Sequence, residues 1–187
     1  MSMNAVWMRL FQITRLGLWS NLVLLLITQS SFAATWQDEL PQAKVLGHGE
    51  FTWFGLSIYK AQLWSEHQPF NRNTHFALEL TYQRSLTGSR IAETGIKEIK
   101  RIYGSQVSSD QLKRWQGILT NAIPNVKDGS KLIAVYEPAQ GMRIYDSKRL
   151  IADIADPDLA QAFFSIWLDE RTKDQALRDQ LLGTQAQ

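Results

Sequence analysis

Cysteine is absent from all 187 residues. This excludes a disulfide framework, a thiolate nucleophile and a cysteine-ligated metal, so the fold rests on its apolar core alone. Histidine is scarce, with only His48, His67 and His75, and none has the i, i+4 helical spacing of a metal site. There is no G-x-S-x-G elbow and no P-loop. The turn GHGEFT lacks the third glycine of a dinucleotide loop, and no helix pattern follows it. No cofactor and no metal is therefore expected. Acidic residues paired for acid/base work are missing as well: Glu79, Glu93, Glu98, Asp153 and Asp156 all fall on faces where a solvated role suffices. No internal repeat and no low-complexity run divides the chain.

An excess of one charge is lacking too. The formal net charge is +2, but Arg9 and Arg15 lie ahead of an apolar run, Leu16 to Ile27, followed by TQSSFAA with small residues Ser31 and Ala33. That order is the pattern of a signal peptide over residues 1–33, leaving a mature domain of 34–187. Without Arg9 and Arg15 the chain holds 18 basic and 18 acidic residues, and nothing basic is left over for nucleic acid. The run itself spans only 12 residues, broken by Ser20 and Asn21, short of the ~20 apolar residues of a bilayer crossing, with an uncleaved anchor as the alternative because the segment ahead of the run is long. Export to a periplasm, with no transmembrane span after cleavage, is the expectation. No cysteine near the cleavage site offers a lipid anchor.

What is present is aromatic. Trp36, Trp53, Trp64, Trp115 and Trp167 follow the leader, with five tyrosines in the chain. The segment FTWFGLSIYKAQLW, Phe51 to Trp64, is apolar at both alternations and reads as one long strand central to a curved sheet, with Gly55 as a bulge or a close approach. Ahead of it, 35–43 reads as a polar lead-in and KVLGHG as a short strand. Phe76 to Gln83 alternates as a strand with Phe76, Leu78, Leu80 and Tyr82 on one face and a wet face opposite.

At Thr87 the period becomes helical and runs to Gly104, and a second helix opens at Ser108 and stops before Pro124. Leu132 to Tyr136 and Met142 to Tyr145 flank PAQG as a hairpin, and Leu150 to Ile154 adds a short strand. Asp156–Pro157 opens a helix carrying Leu159, Phe163, Ile166 and Trp167. A last helix after Thr172 places Ala176, Leu177, Leu181 and Leu182 inward and ends at Gly183. Strands, two helices, strands, two helices give an α+β fold, with helices gathered on an antiparallel sheet.

The order GHGEFTWFGLSIYKAQLW, FALELTYQRSLTGSRIAETGIKEIKR, a tryptophan helix ending in IPNVKDGSKL, and AFFSIWLDERT followed by LRDQLLG resembles the chalcone isomerase-like family in its bacterial, exported branch. The resemblance covers residues 44 to 183. It implies an open-faced β-sandwich, a long antiparallel sheet with helices layered on one side and a ligand cleft between the layers. It also implies where catalysis would sit, and there the match fails. The family's catalytic arginine falls on Glu50 or Phe51, its threonine on Phe54, its tyrosine on Ile91 and the neighbouring asparagine on Glu98. Only Ser165, in FFSIW, matches a ligand-contacting hydroxyl.

Loss of the cationic carbonyl clamp removes the main stabiliser of a developing oxyanion, worth about 10²–10³ in rate at comparable sites. The resemblance extends to non-catalytic members that bind fatty acids, whose carboxylate-gripping arginine would here have to be Arg84, Arg90 or Arg143. We expect no catalytic residue, and Phe54, Tyr59, Tyr82, Arg90 and Ser165 as lining residues of a cleft for a small hydrophobic ligand. Two other readings stay open: an isomerase or intramolecular lyase using Glu50 or Glu98, and an envelope interaction module with a filled core. The sequence leaves the oligomeric state undetermined.

Overall fold

The computed structural model describes residues 35–184; the expected leader, 1–33, lies outside the described residues. The aromatic segment from Phe51 to Trp64 is not one strand. It folds back on itself as a hairpin of β1 (Lys44–Trp53) and β2 (Leu56–Ser65), with Phe54 at φ 49° and Gly55 at φ 74° between them. Positive φ at both central residues is the geometry of a type I′ turn, whose twist matches that of the strands it joins. Gly55 accommodates it freely, whereas a bulky side chain at positive φ costs about 1–3 kcal/mol. The KVLGHG stretch is simply the first half of β1.

β3 (Phe76–Tyr82), β4 (Lys131–Glu137), β5 (Gly141–Tyr145) and β6 (Leu150–Ile154) complete the sheet. All neighbours are antiparallel in the order β1 to β6, so the expected central strand is in fact an edge pair. Between β3 and β4 lie α2 (Gly88–Tyr103) and α3 (Ser109–Ala122), and α4 (Pro157–Leu168) and α5 (Gln175–Leu182) follow β6. Their ends are set by local chemistry. Thr87 and Ser108 accept from the backbone N–H groups of Arg90 and Gln111, Asp156 caps α4 just before its proline, and Gly183 closes α5 in the left-handed region.

These helices cover one face of the sheet. Leu63, Phe76, Leu78, Leu80, Tyr82, Leu132, Ala134, Tyr136, Met142 and Ile144 meet Ile99, Trp115, Leu119, Leu159, Phe164 and Leu181 in a single core. Of the residues expected inward on α5, Ala176 is exposed. α5 lies directly on β1, and a Cβ on Gly47 would stand 2.0 Å from the Gln180 carbonyl oxygen. Only glycine permits that approach.

The opposite face is less wet than the alternation of β3 suggests. The lead-in at 35–43 contains a one-turn helix, α1 (Trp36–Glu39). With Leu40 it covers Ala77, Ile133, Val135 and Tyr145 in a second, smaller cluster. The Trp36 and Trp64 rings meet edge to face at 5.1 Å. Arg143 binds this layer together through Glu39 at 3.0 Å and Glu137 at 2.6 Å, and Tyr145 donates to Glu39. Glu79, expected in solvent, is buried here and takes Lys131 as its partner. A buried carboxylate needs such a cation to offset its lost hydration.

Candidate functional site

Two of the five expected lining residues stand opposite each other in the sheet. Tyr59 of β2 is the register partner of Tyr82 of β3, and both project to the helix side, with ring centroids 6.0 Å apart. Phe51 of β1, in turn opposite Tyr59, stacks on it at 5.1 Å. From above, α4 contributes Phe163 and Trp167, one helical turn apart, with centroids at 5.2 Å. The five rings close a patch where the β1–β2 arm meets the first layer of helices.

The polar atoms of this patch are unevenly matched. Trp167 Nε1 donates to the Tyr59 hydroxyl at 3.0 Å, and among the described residues nothing accepts the proton of that hydroxyl. The Tyr82 hydroxyl has no hydrogen-bond partner among the described residues, although the residue is only 2% exposed. Burial pushes both phenols well above their ordinary value. For Tyr59 the Trp167 bond opposes this, while Tyr82, Asp174 and Glu98 add to it. Both are therefore neutral donors at physiological pH, held in apolar surroundings. Tyr59 is only partly buried, and neither hydroxyl is among the sealed polar atoms left without a partner, which are Glu39 Oε2 and Trp64 Nε1 on the opposite face. The two phenols are therefore side-by-side donors that stay free for an acceptor from outside the chain.

The remaining expected residues lie elsewhere. Phe54 occupies the hairpin tip and is 89% exposed; the two-residue turn carries it out of the layer. Arg90 is exposed on the first turn of α2. Ser165 is buried on α4, but its hydroxyl donates back to the Ala162 carbonyl at 2.6 Å, the local bond that serine favours inside a helix. Phe51, Phe163 and Trp167 complete the patch without having been expected in it. Alternation and helical period place them inward; the β1–β2 register brings Phe51 to Tyr59, and the tertiary placement of α4 brings Trp167 there, with Phe163 beside it.

Two concavities among the described residues lie away from the phenols. One, of about 700 Å³, runs along Leu46 to Glu50, Lys60 to Gln62 and Gln180. The other, of about 590 Å³, lies between Phe70, Leu168, Arg171, Arg178 and Leu182. Both open to solvent, and the aromatic patch is filled by its own side chains. Among the described residues no cluster of His, Asp or Glu is placed to hold a metal ion, and no helix is long and apolar enough to cross a membrane.

The positions that correspond to catalytic groups hold other chemistry. Phe51 is stacked on Tyr59 and Ile91 packs against the core. Glu50 accepts from the Ser57 hydroxyl. Partial burial acts against ionisation of Glu98, but Lys173 and Arg101 outweigh it and hold the carboxyl below its ordinary value. An ionised carboxylate committed to two cations is a poor proton acceptor.

Comparison with known proteins agrees with this architecture. A family model described as chalcone isomerase-like matches residues 51–183, well over half of the chain. No curated protein sequence gives a significant match. Among solved structures, a fatty-acid binding protein from Arabidopsis thaliana superposes with a TM-score of 0.57 at 10% identity, over 75% of this chain and 87% of that one. At that identity the likeness speaks for the fold alone.

Proposed function

This chain belongs to the chalcone isomerase-like family, and from that premise we propose that it is a non-catalytic binder of a small hydrophobic or amphiphilic ligand, fatty acid-like, held between the sheet and its helices. The observation that carries the proposal is the Tyr59–Tyr82 pair: one partly buried and one buried phenol, both neutral and with protons that no described residue accepts, ringed by Phe51, Phe163 and Trp167. Their hydroxyls receive the carboxylate or other acceptor head of the ligand, and the apolar layer receives its tail. Entry requires Trp167 and Phe163 to swing away from the phenols. The move gives up one hydrogen bond worth about 0.5–1.5 kcal/mol, which the bonds to the ligand head offset.

That the matching solved structure is described as a fatty-acid binding protein supports the ligand class, and the non-catalytic chemistry at Glu50, Phe51, Ile91 and Glu98 favours binding over isomerisation. We place the protein in the periplasm, exported by residues 1–33, within a bacterial, exported branch of the family. Titration with palmitate followed by tryptophan fluorescence tests the reading. Tyr59→Phe and Tyr82→Phe keep the packing but remove the donors, and each is expected to weaken binding by about tenfold, one charge-assisted hydrogen bond. Unchanged affinity in both variants would refute the site.

A second reading, an interaction module with a filled core, is favoured by one observation: both concavities are open and the phenols are covered. It predicts that palmitate leaves the fluorescence and the thermal midpoint unmoved.

A further inference from the structure

The β1–β2 hairpin ends in the largest exposed apolar group among the described residues. Trp53 is 55% exposed, Phe54 89% and Leu56 48%. They are adjacent, and the Trp53 and Phe54 rings are already packed edge to face at 5.0 Å. The turn they flank makes the choice of Phe54 informative. Its φ of 49° is a conformation suited to Asn, Asp or Gly, and the hairpin itself gains nothing from an aromatic ring there. The fold itself gives no account of an aromatic residue that its own turn disfavours and whose side chain stands in water.

The charges around the tip indicate what partner it fits. Arg84 is fixed beside it, its Nε donating to the Ser57 carbonyl at 3.0 Å, and the Gln83 N–H bonds the Ile58 carbonyl in the same strip. Leu86 continues that strip into a bridge with Val126, which sets Lys127 alongside, and Arg90 stands on the first turn of α2 four residues after Leu86. Among the described residues Arg84, Arg90 and Lys127 form no ion pair, and all three are exposed. Asp128 is the one acid in the strips 83–91 and 124–130; Glu50, on the hairpin arm, accepts from the Ser57 hydroxyl, and Glu93 follows Arg90 on α2 but pairs with Lys97. An aromatic and aliphatic tip, flanked by unpaired cations, is the complement of an anionic lipid surface: the rings enter the headgroup boundary while the cations meet phosphates.

We propose that the hairpin tip of Trp53, Phe54 and Leu56 docks this protein on an anionic lipid bilayer, with Arg84, Arg90 and Lys127 as headgroup contacts. The docking does not depend on any ligand between the layers, and it leaves the core unaltered. One hairpin tip gives reversible attachment.

Flotation with vesicles of phosphatidylglycerol and phosphatidylethanolamine, compared with phosphatidylcholine vesicles, tests the proposal on the protein as recovered from cells, its N-terminus fixed by mass spectrometry. Phe54→Asn improves the fit to the turn and so preserves the hairpin. It shares with the parent any contribution of residues ahead of 35. Combined with Trp53→Thr, it is expected to weaken binding to the anionic vesicles by about tenfold or more, and raised salt to weaken the parent. Brominated acyl chains are expected to quench a fraction of the parent's fluorescence that is lost in Trp53→Phe. Equal flotation of parent and double variant, or no preference for anionic vesicles, would overturn the proposal. So would a solution dimer that Phe54→Asn dissolves, since the tip would then belong to a second copy.

Discussion

Single residues carry much of what sets this chain apart. Gly47 and Gly49, the G-x-G of GHGEF, serve packing: a Cβ on Gly47 would meet the backbone oxygens of Gln180 at 2.0 Å and Leu181 at 2.4 Å. Backbone atoms cannot swing aside, so Gly47→Ala should lower stability by about 1–3 kcal/mol in urea unfolding; no loss would mean that α5 does not lie on β1. Phe54→Asn should act in the other direction and raise stability by about 1 kcal/mol, because Asn tolerates positive φ. A third residue sets an acid limit. Arg171 holds the Asp169 carboxyl at about 2, below its model-peptide 3.8, through bonds at 2.8 and 3.0 Å. A depressed carboxyl contributes stability above the unfolded value and loses it as pH falls through the folded one. Solvent screening keeps the amount below about 1 kcal/mol. Asp169→Asn should flatten the stability profile between pH 4 and pH 2, read from urea midpoints; an unchanged slope there would mean that the pair contributes nothing to folding.

Elements differ in how far their sequences disclosed them. The four long helices were legible because their ends are written in local chemistry. Asp156 is the fullest case, accepting from Leu159 N at 2.9 Å and from Trp115 Nε1 at 3.0 Å. Asp156→Ala removes a cap and strands a buried indole N–H, and about 1–3 kcal/mol should be lost in thermal or urea unfolding. The hairpin was illegible because Phe-Gly carries none of the Asn-Gly or Asp-Gly signal of a type I′ turn, and its flanks alternate without a break. α1 escaped for the opposite reason: four residues have no period, and Trp36 is buried only because the second face of the sheet waits for it. Trp36→Ala should therefore cost about 3–5 kcal/mol although it lies in a one-turn helix. A cost under 1 kcal/mol would show that face to be solvent-exposed after all. The same division runs through the site. Tyr59 and Tyr82 were legible as inward residues of neighbouring strands, whereas Trp167 reaches Tyr59 only through the tertiary placement of α4, which no local pattern encodes.

At the scale of the whole molecule, a six-stranded antiparallel sheet carries four helices on one face, while α1 with its ion pairs covers part of the other. The fold of a chalcone isomerase-like chain is present, while the positions matched to its catalytic groups hold packing residues, Phe51 and Ile91, or acids tied to their own partners, Glu50 and Glu98. What stays polar in the layer is the pair of phenols. Both should remain protonated beyond the ordinary tyrosine range in an absorbance titration, with that late component reduced in Tyr59→Phe and Tyr82→Phe. The most direct test of the central claim is native mass spectrometry of the protein as recovered from cells, with any released molecule identified after denaturation. A stoichiometric amphiphile with an acceptor head and an apolar tail is the predicted result. An empty protein that also ignores a panel of fatty acids and polyphenols would contradict it.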